Sequence, residues 1–399
     1  MDRNTHTNRQ NQSVKIPTHN PRKEHSDMMR AYMLPILTAV FLFPVLAALA
    51  VLPYAIHQYR KFGSISKFKT FIVFSFGFYL LCAYFLVILP LPSIEEVAQM
   101  TRPRTLLEPL RVVRQFRQYS VLNLTDPTSY IPALKQQVFL QPFFNIMLTL
   151  PFGVYLRYLT KINAKQALLA GLALSLFFEL TQLSGLYFIY PRPYRLFEVD
   201  DLITNTLGAG LGYAVEPLLS FVIPSVTQLN QSARTTSQHV SFTRRLAAYA
   251  LDWLILATTV QFLSIGWPAL TLANYTHYLI VSTSYFVLIP IIWQGSTPGK
   301  ALVKIRIIHQ ESGRATIPSL AIRQLLLNAL LLANPLFYLP ATLVATQSQT
   351  GTDIILPLGG LLVTSTAQLL FLLDIGFTLI GKSHQLFYER LTHLKQTTY

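Results

Sequence analysis

Phe71-Ile-Val-Phe-Ser-Phe-Gly-Phe-Tyr-Leu80-Leu-Cys-Ala-Tyr-Phe-Leu-Val-Ile-Leu89 contains no charged side chain and stops at Pro90. As a helix, a run of roughly 20 such residues is long enough to cross the hydrocarbon core of a bilayer. Comparable stretches begin near Ala31, Val138, Ala167, Asp201, Leu246, Leu270, Leu320 and Pro357. Together they make about nine spans, so the sequence predicts an all-α, polytopic integral membrane protein. Pro35, Pro44 and Pro53 fall in the first span, where neighbouring helices can re-satisfy the carbonyls that proline frees.

The composition of the 399-residue chain agrees with this reading. It is 52% hydrophobic and only 12% charged, with a net charge of +15 and a mean hydropathy of +0.40. Soluble domains carry about 25% charged residues, so a water-soluble enzyme is excluded. The 26 Phe and 20 Tyr exclude a disordered chain. Cys82 is the single cysteine, which rules out an internal disulfide and a thiolate metal cluster.

Basic residues in short loops give the orientation. The loops at about 266–277 and 341–356 have no Lys or Arg, whereas Lys300, Lys304, Arg306 and Arg314, and then Lys382, Arg390 and Lys395, lie between and after the last spans. The C-terminus is therefore expected in the cytoplasm. Counting back, with Arg157, Lys161 and Lys165 inside and Arg60, Lys61, Lys67 and Lys69 inside, the N-terminus is expected outside the cell membrane. Residues 1–30 read as a disordered polar tail, 31–224 as a five-span module, 225–240 as a Ser/Thr/Gln/Asn-rich linker and 241–399 as a four-span module.

In the first module, polar residues recur at helical spacing. Asn145, Thr149 and Phe152 form one stripe, Gly171, Ser175, Glu179 and Gln182 a second, and Asp201, Asn205, Gly208 and Gly212 a third. Asp200 and Asp201 open their helix, where the N-terminal amides favour an anion. The stripes are expected to meet in an outward-facing pocket. Ser175, Thr149 and Gln182 serve equally well as glue between helices. Glu179 is different: an intramembrane carboxylate costs at least about 2.5 kcal/mol without a partner and marks function by default. Arg195, Asn205 and Gln182 are its candidate partners.

Asn145 with Pro151-Phe152-Gly153, then Glu179-Leu-Thr-Gln182, then Tyr194-Arg195-Leu-Phe197-Glu198-Val-Asp200-Asp201-Leu-Ile-Thr-Asn205-Thr-Leu-Gly208-Ala-Gly-Leu-Gly212 resembles the VanZ family over about 105–218, with Asn123-Leu-Thr upstream. The resemblance implies a cell-envelope role in Gram-positive bacteria. It also implies reduced susceptibility to teicoplanin-type glycopeptides, which act on wall precursors outside the membrane. The insert Tyr187-Phe-Ile-Tyr-Pro191-Arg192-Pro193 departs from the family pattern.

Arg102, Arg104, Arg111, Arg114 and Arg117 are interleaved with Val112, Val113 and Phe116. This suits a helix on the membrane surface that attracts anionic headgroups or binds a pyrophosphate lipid or wall polymer. Nucleic acid is not an expected partner.

The second module places Arg245 and Asp252 on one helical face, Arg323 at the start of the eighth span and Asp374 in the ninth. Gly295-Ser-Thr297-Pro298-Gly299-Lys300 is not a phosphate loop: one residue is missing between the glycines and Ala301 follows the lysine. An ATPase is rejected. Glu311-Ser-Gly313 reads as a hairpin turn. Arg245-x-x-Ala248-x-x-x-Asp252, Gly295-x-Thr297-x-Gly299-Lys300, Asp374 and His384-Gln-Leu-Phe-Tyr-Glu389-Arg390-Leu resemble the RDD family over about 240–396, with Glu389 where that pattern has Asp. This resemblance implies a membrane module for which cation/proton exchange has been proposed. Arg245, Asp252, Gly299, Lys300, Arg323 and Asp374 are then either a packing network or an ion route.

The nine His show no metal-ligand spacing and no catalytic triad emerges. No cofactor, metal or catalytic residue is therefore assigned. The expected partners are membrane lipids and a glycopeptide or lipid-linked wall precursor. The leading reading is a non-catalytic envelope protein of the VanZ type. The alternatives are an RDD-based cation/proton or small-solute transporter and an enzyme acting on a lipid-linked precursor.

Overall fold

The computed structural model describes residues 21–236, 240–267, 275–330, 355–380 and 385–399. The parts of the expected loops at 268–274 and 341–354, residues 1–20 of the expected tail, and His384 lie outside the described residues. The chain is helical with two very short sheets. Each of the expected spans falls on a helix: α1 (Pro21–Phe62), α2 (Lys67–Ile88), α6 (Gln137–Leu159), α7 (Ala164–Leu183), α9 (Val199–Leu219), α11 (Phe242–Gly266), α12 (Tyr275–Ile292), α14 (Ile317–Leu330) and α15 (Ile355–Ile380). Among the described residues, six helices are long and apolar enough to cross a membrane, so the expected count of about nine is not reached on that measure. The described parts of α12 and α14 are shorter, and α9 is diluted by Asp200, Asp201, Asn205 and Glu216.

Two expectations change. Helix α1 already starts at Pro21, inside the stretch read as a tail; proline is favoured in a helix's first turn because its φ is preset and its missing N–H is not needed there. The stretch read as a linker contains helix α10 (Val226–Thr236). Its Ala233 carbonyl accepts from Ser64 Oγ at 2.6 Å and its Asn230 side chain accepts from Lys69 Nζ at 2.8 Å.

The chain forms two compact units. The first comprises residues up to Val45 together with Ser75–Leu219. Its short segments are α3 (Ile94–Gln99), α4 (Arg111–Tyr119), α5 (Tyr130–Leu134) and the turn α8 (Gly185–Phe188), with β1 (Thr105–Leu106) parallel to β2 (Phe197–Glu198). Asn163 caps α7 by accepting from Gln166 N, while the Gln166 side chain accepts from Asn163 N. Such reciprocal capping fixes a helix start against the short loop before it.

The second unit comprises Leu46–Phe74 and Ser220–Tyr399. Its core joins Tyr59, Ala248, Leu251, Val303 and Ile305. After α13 (Pro298–Leu302), strand β3 (Ile305–His309) pairs antiparallel with β4 (Leu394–Thr398), which follows α16 (Phe387–Leu391). The turn at Glu311–Gly313 therefore does not close a local hairpin: the partner of β3 comes from the end of the chain. Gly295, at φ +93°, lies against the Ile307 carbonyl and accepts from Ile307 N at 2.7 Å, a close approach that leaves no room for a Cβ.

Candidate functional site

In the first unit, glycines let α6 and α9 touch backbone to backbone. A Cβ on Gly208 would collide with the Ile146 carbonyl and Thr149, one on Gly212 with the Leu150 carbonyl, and one on Gly153 with the Ala209 carbonyl. This contact brings the three polar stripes together. Thr149 Oγ1 donates to the Asn205 carbonyl at 2.7 Å, and Asn145 Nδ2 donates to Asp201 Oδ1 at 2.7 Å. On the α7 side, Asn205 Nδ2 donates to Ser175 Oγ at 3.0 Å, and Ser175 passes its own hydrogen to the Asp201 carbonyl at 3.3 Å.

Asn145, Glu179, Gln182, Arg195, Asp201 and Asn205 all line one cavity of about 380 Å³. Glu179 is only 3% exposed, and its direct partner is none of the three side chains expected: Oε2 accepts from the Glu198 backbone N–H at 3.1 Å. Gln182 Nε2 donates to the Val87 carbonyl at 3.0 Å and Arg195 Nη2 to the Leu89 carbonyl at 2.9 Å. Burial is the main influence on Arg195 and disfavours its charge, an effect that neighbouring Tyr194 opposes. Burial also pushes the Glu198 carboxyl above its usual range, with Asp200 adding to the rise and Arg111 opposing it.

Asp200 does not join the cavity. Its two oxygens accept from Leu110 N and Val112 N, each at 2.6 Å, at the start of α4. The basic segment is thus held from outside by an acidic cap. Arg114 pairs with Glu108, and Arg102 donates to the Tyr194 carbonyl. Sequence reasoning missed the Glu198 and Leu110 contacts because both use main-chain N–H groups, which side-chain spacing does not reveal.

In the second unit the expected Arg245–Asp252 face does not form a pair. Asp252 is fully buried and collects four donors: Thr297 Oγ1 at 2.6 Å, Gly299 N at 2.7 Å, Tyr285 Oη at 3.0 Å and Lys300 Nζ at 3.3 Å. Arg245 instead reaches Glu389 at 2.6 Å. Asp374 accepts from Arg390 at 2.6 Å and from Phe387 N at 2.8 Å. Arg323 lies over the Tyr388 ring at 5.2 Å. Asp252, Gly299 and Lys300 therefore form one cluster, while Arg245, Asp374 and Arg323 pair with Glu389, Arg390 and Tyr388. Arg244, not singled out from sequence, is the more deeply set arginine: it donates to the carbonyls of Val303, Gly63 and Lys304 at 2.7–2.9 Å. The adjacent arginines gave no signal as to which turns inward.

Comparison with protein families assigns both halves. The VanZ/LLP1 family matches residues 76–223 and the RDD family matches residues 239–387. No curated protein and no solved structure matches the chain. With six apolar helices of spanning length among the described residues and two domains of membrane families, this is a multi-pass membrane protein.

Proposed function

We propose that this chain, which joins a VanZ/LLP1 domain to an RDD-family domain, lowers the susceptibility of its cell to teicoplanin-type glycopeptides through the polar cavity of its VanZ/LLP1 domain. The observation that carries this reading is the convergence of Asn145, Glu179, Gln182, Arg195, Asp201 and Asn205 on one cavity. Buried ionisable groups in a membrane segment persist where they serve a site. The reading puts the cavity mouth on the outer face, where glycopeptides and wall precursors meet the membrane. The RDD-family domain has a supporting role: the four donors around Asp252 suit a fixed packing element better than an ion route.

The test is teicoplanin susceptibility in a deletion strain complemented with wild type, Glu179→Gln or Leu180→Ile at matched membrane abundance. Glutamine keeps an acceptor for the Glu198 N–H but removes the charge. Glu179→Gln is expected to behave like the deletion, whereas Leu180→Ile, at an exposed position, complements. Full complementation by Glu179→Gln would reject the cavity as the basis of the phenotype.

A further inference from the structure

The hydrogen bonds in the cavity are unevenly shared. Each polar donor group makes at least one bond, Asn145 Nδ2 to Asp201, Gln182 Nε2 to the Val87 carbonyl, Arg195 Nη2 to the Leu89 carbonyl and Asn205 Nδ2 to Ser175, and Arg195 keeps further N–H groups. One acceptor stands apart. Asn205 is 4% exposed and its Oδ1 has no hydrogen-bond partner. Among the described residues, the bonds of Glu179, Asn145 and Gln182 run through Oε2, Nδ2 and Nε2, and their other oxygens are less deeply enclosed than Asn205 Oδ1. A buried acceptor left unpaired destabilises the protein, so Asn205 Oδ1, with the Glu179 carboxyl lining the same cavity, suits a ligand that brings hydrogens.

Charge narrows the chemistry. Two carboxylates, Glu179 and Asp201, share the lining with one guanidinium, Arg195. An anion would meet the unpaired Asn205 oxygen and two carboxyl groups beside a single guanidinium. A metal ion is less well served, since the described residues contain no group of three His, Cys, Asp or Glu able to hold one. The remaining walls are apolar, with Val87, Phe144, Leu148 and Phe178 among them. The volume of about 380 Å³ is that of a small-molecule site.

We propose that the cavity binds a protonated primary amine carried on an apolar chain, its ammonium between Glu179, Asp201 and the Asn205 amide oxygen and its chain along Val87, Phe144 and Leu148. An ammonium is a compact charge with three donors; it would pair Asn205 Oδ1 and the Glu179 carboxyl and share Asp201, whose Oδ1 already accepts from Asn145. The proposal rests on the cavity reading above and names what the cavity recognises. The amine belongs either to a lipid headgroup or to a soluble amphiphile.

The experiment uses the full chain in phosphatidylcholine nanodiscs and radiolabelled octylamine, read by scintillation proximity. Saturable binding is expected, displaced by unlabelled octylamine, about tenfold more weakly by octyltrimethylammonium, which has no N–H, and not by octyl sulfate. Glu179→Gln and Asn205→Leu each weaken binding about tenfold or more, while Gly266→Ala, with open space around it, leaves it unchanged. In discs containing phosphatidylethanolamine, octylamine affinity falls if lipid headgroups supply the amine and is unchanged if a soluble amphiphile does. Non-saturating uptake, equal competition by octyl sulfate, or both site variants binding within about twofold of wild type overturns the proposal. No octylamine binding, together with loss of teicoplanin resistance in Glu179→Gln, would remove the amine and leave the cavity reading standing. Octylamine binding with no teicoplanin effect of gene deletion would do the reverse.

Discussion

Replacing Asp252 by Asn should be the most damaging conservative change in the second unit. The carboxylate is fully buried and Lys300 beside it is 4% exposed. Burial holds the Lys300 ammonium below its ordinary pKa, with Asp252 the main opposing influence. Removing the negative partner of a buried ion pair leaves an uncompensated charge and costs about 3–5 kcal/mol. Lys300→Met should cost less, about 1–2 kcal/mol, because Asp252 keeps its neutral bonds to Thr297, Gly299 and Tyr285. In Asp252→Asn/Lys300→Met no charge is orphaned, so the double variant should be more stable than the sum of the singles by at least about 1.5 kcal/mol. Unfolding in mixed micelles with rising dodecyl sulfate measures all four proteins. Trp253, stacked on Tyr278 at 5.3 Å, is a local reporter in a background where Trp267 and Trp293 are replaced by Phe. Additivity within about 0.5 kcal/mol, or a single Asp252→Asn cost below about 1 kcal/mol, would refute the claim that this pair is a packing element.

Gly212→Ala should destabilise the first unit by about 1–3 kcal/mol through overpacking, because the new methyl meets the Leu150 carbonyl, whereas Gly210→Ala meets only the end of the flexible Leu168 side chain and should be milder; the same micelle unfolding, followed by protease protection of α6, checks the order. Glu198 titrates above its ordinary value because it is buried. A carboxyl whose folded pKa exceeds its unfolded one makes the folded state bind more protons, so its contribution to stability falls as pH rises through that interval. Glu198→Gln should flatten that slope and raise stability at neutral pH, and a pH series of unfolding curves in which the variant keeps the wild-type slope would contradict this.

What the sequence revealed, and what it hid, follows from the length scale of each signal. A run such as Phe71–Leu89 declares itself because crossing a membrane demands uninterrupted apolar residues. The cavity was readable because steps of three and four place Asn145 with Thr149, Ser175 with Glu179, and Asp201 with Asn205 on single faces. Asp200 shows the limit. It lies one residue from Asp201, but each helical residue turns by about 100°, and the two carboxylates face different partners. Pairings across long separations were hidden altogether. Nothing local links Asp252 to Lys300 or Arg245 to Glu389, and the seven-residue spacing of Arg245 and Asp252 puts them on one face but about 10 Å apart along the axis. The linker's polar composition likewise masked α10, whose start is capped reciprocally by Ser225 and Gln228 and whose side is tied to Ser64 and Lys69.

Buried polarity is handled differently around Asp252 and around Glu179, although both units also hold unpaired polar atoms such as Arg323 Nε and Asn205 Oδ1. Asp252 accepts from four donors, and the glycine at Gly299 lets the backbone close onto it, since a Cβ there would meet the Ala248 carbonyl and Asp252 itself. Such saturation rigidifies, because moving any element breaks several bonds at once. Around Glu179 the same kind of chemistry stops short. Close glycine packing of α6 on α9 holds Asn145, Asp201 and Asn205 in place, yet the buried Asn205 Oδ1 is left unpaired. A protein selected only for stability would fill that space with apolar side chains, since replacing buried polar groups by well-packed hydrophobic ones is often neutral or stabilising. Local rules of polar satisfaction are broken mainly where function requires it. A rigid framework around the unpaired Asn205 oxygen is what the proposed cavity reading requires of the VanZ/LLP1 domain.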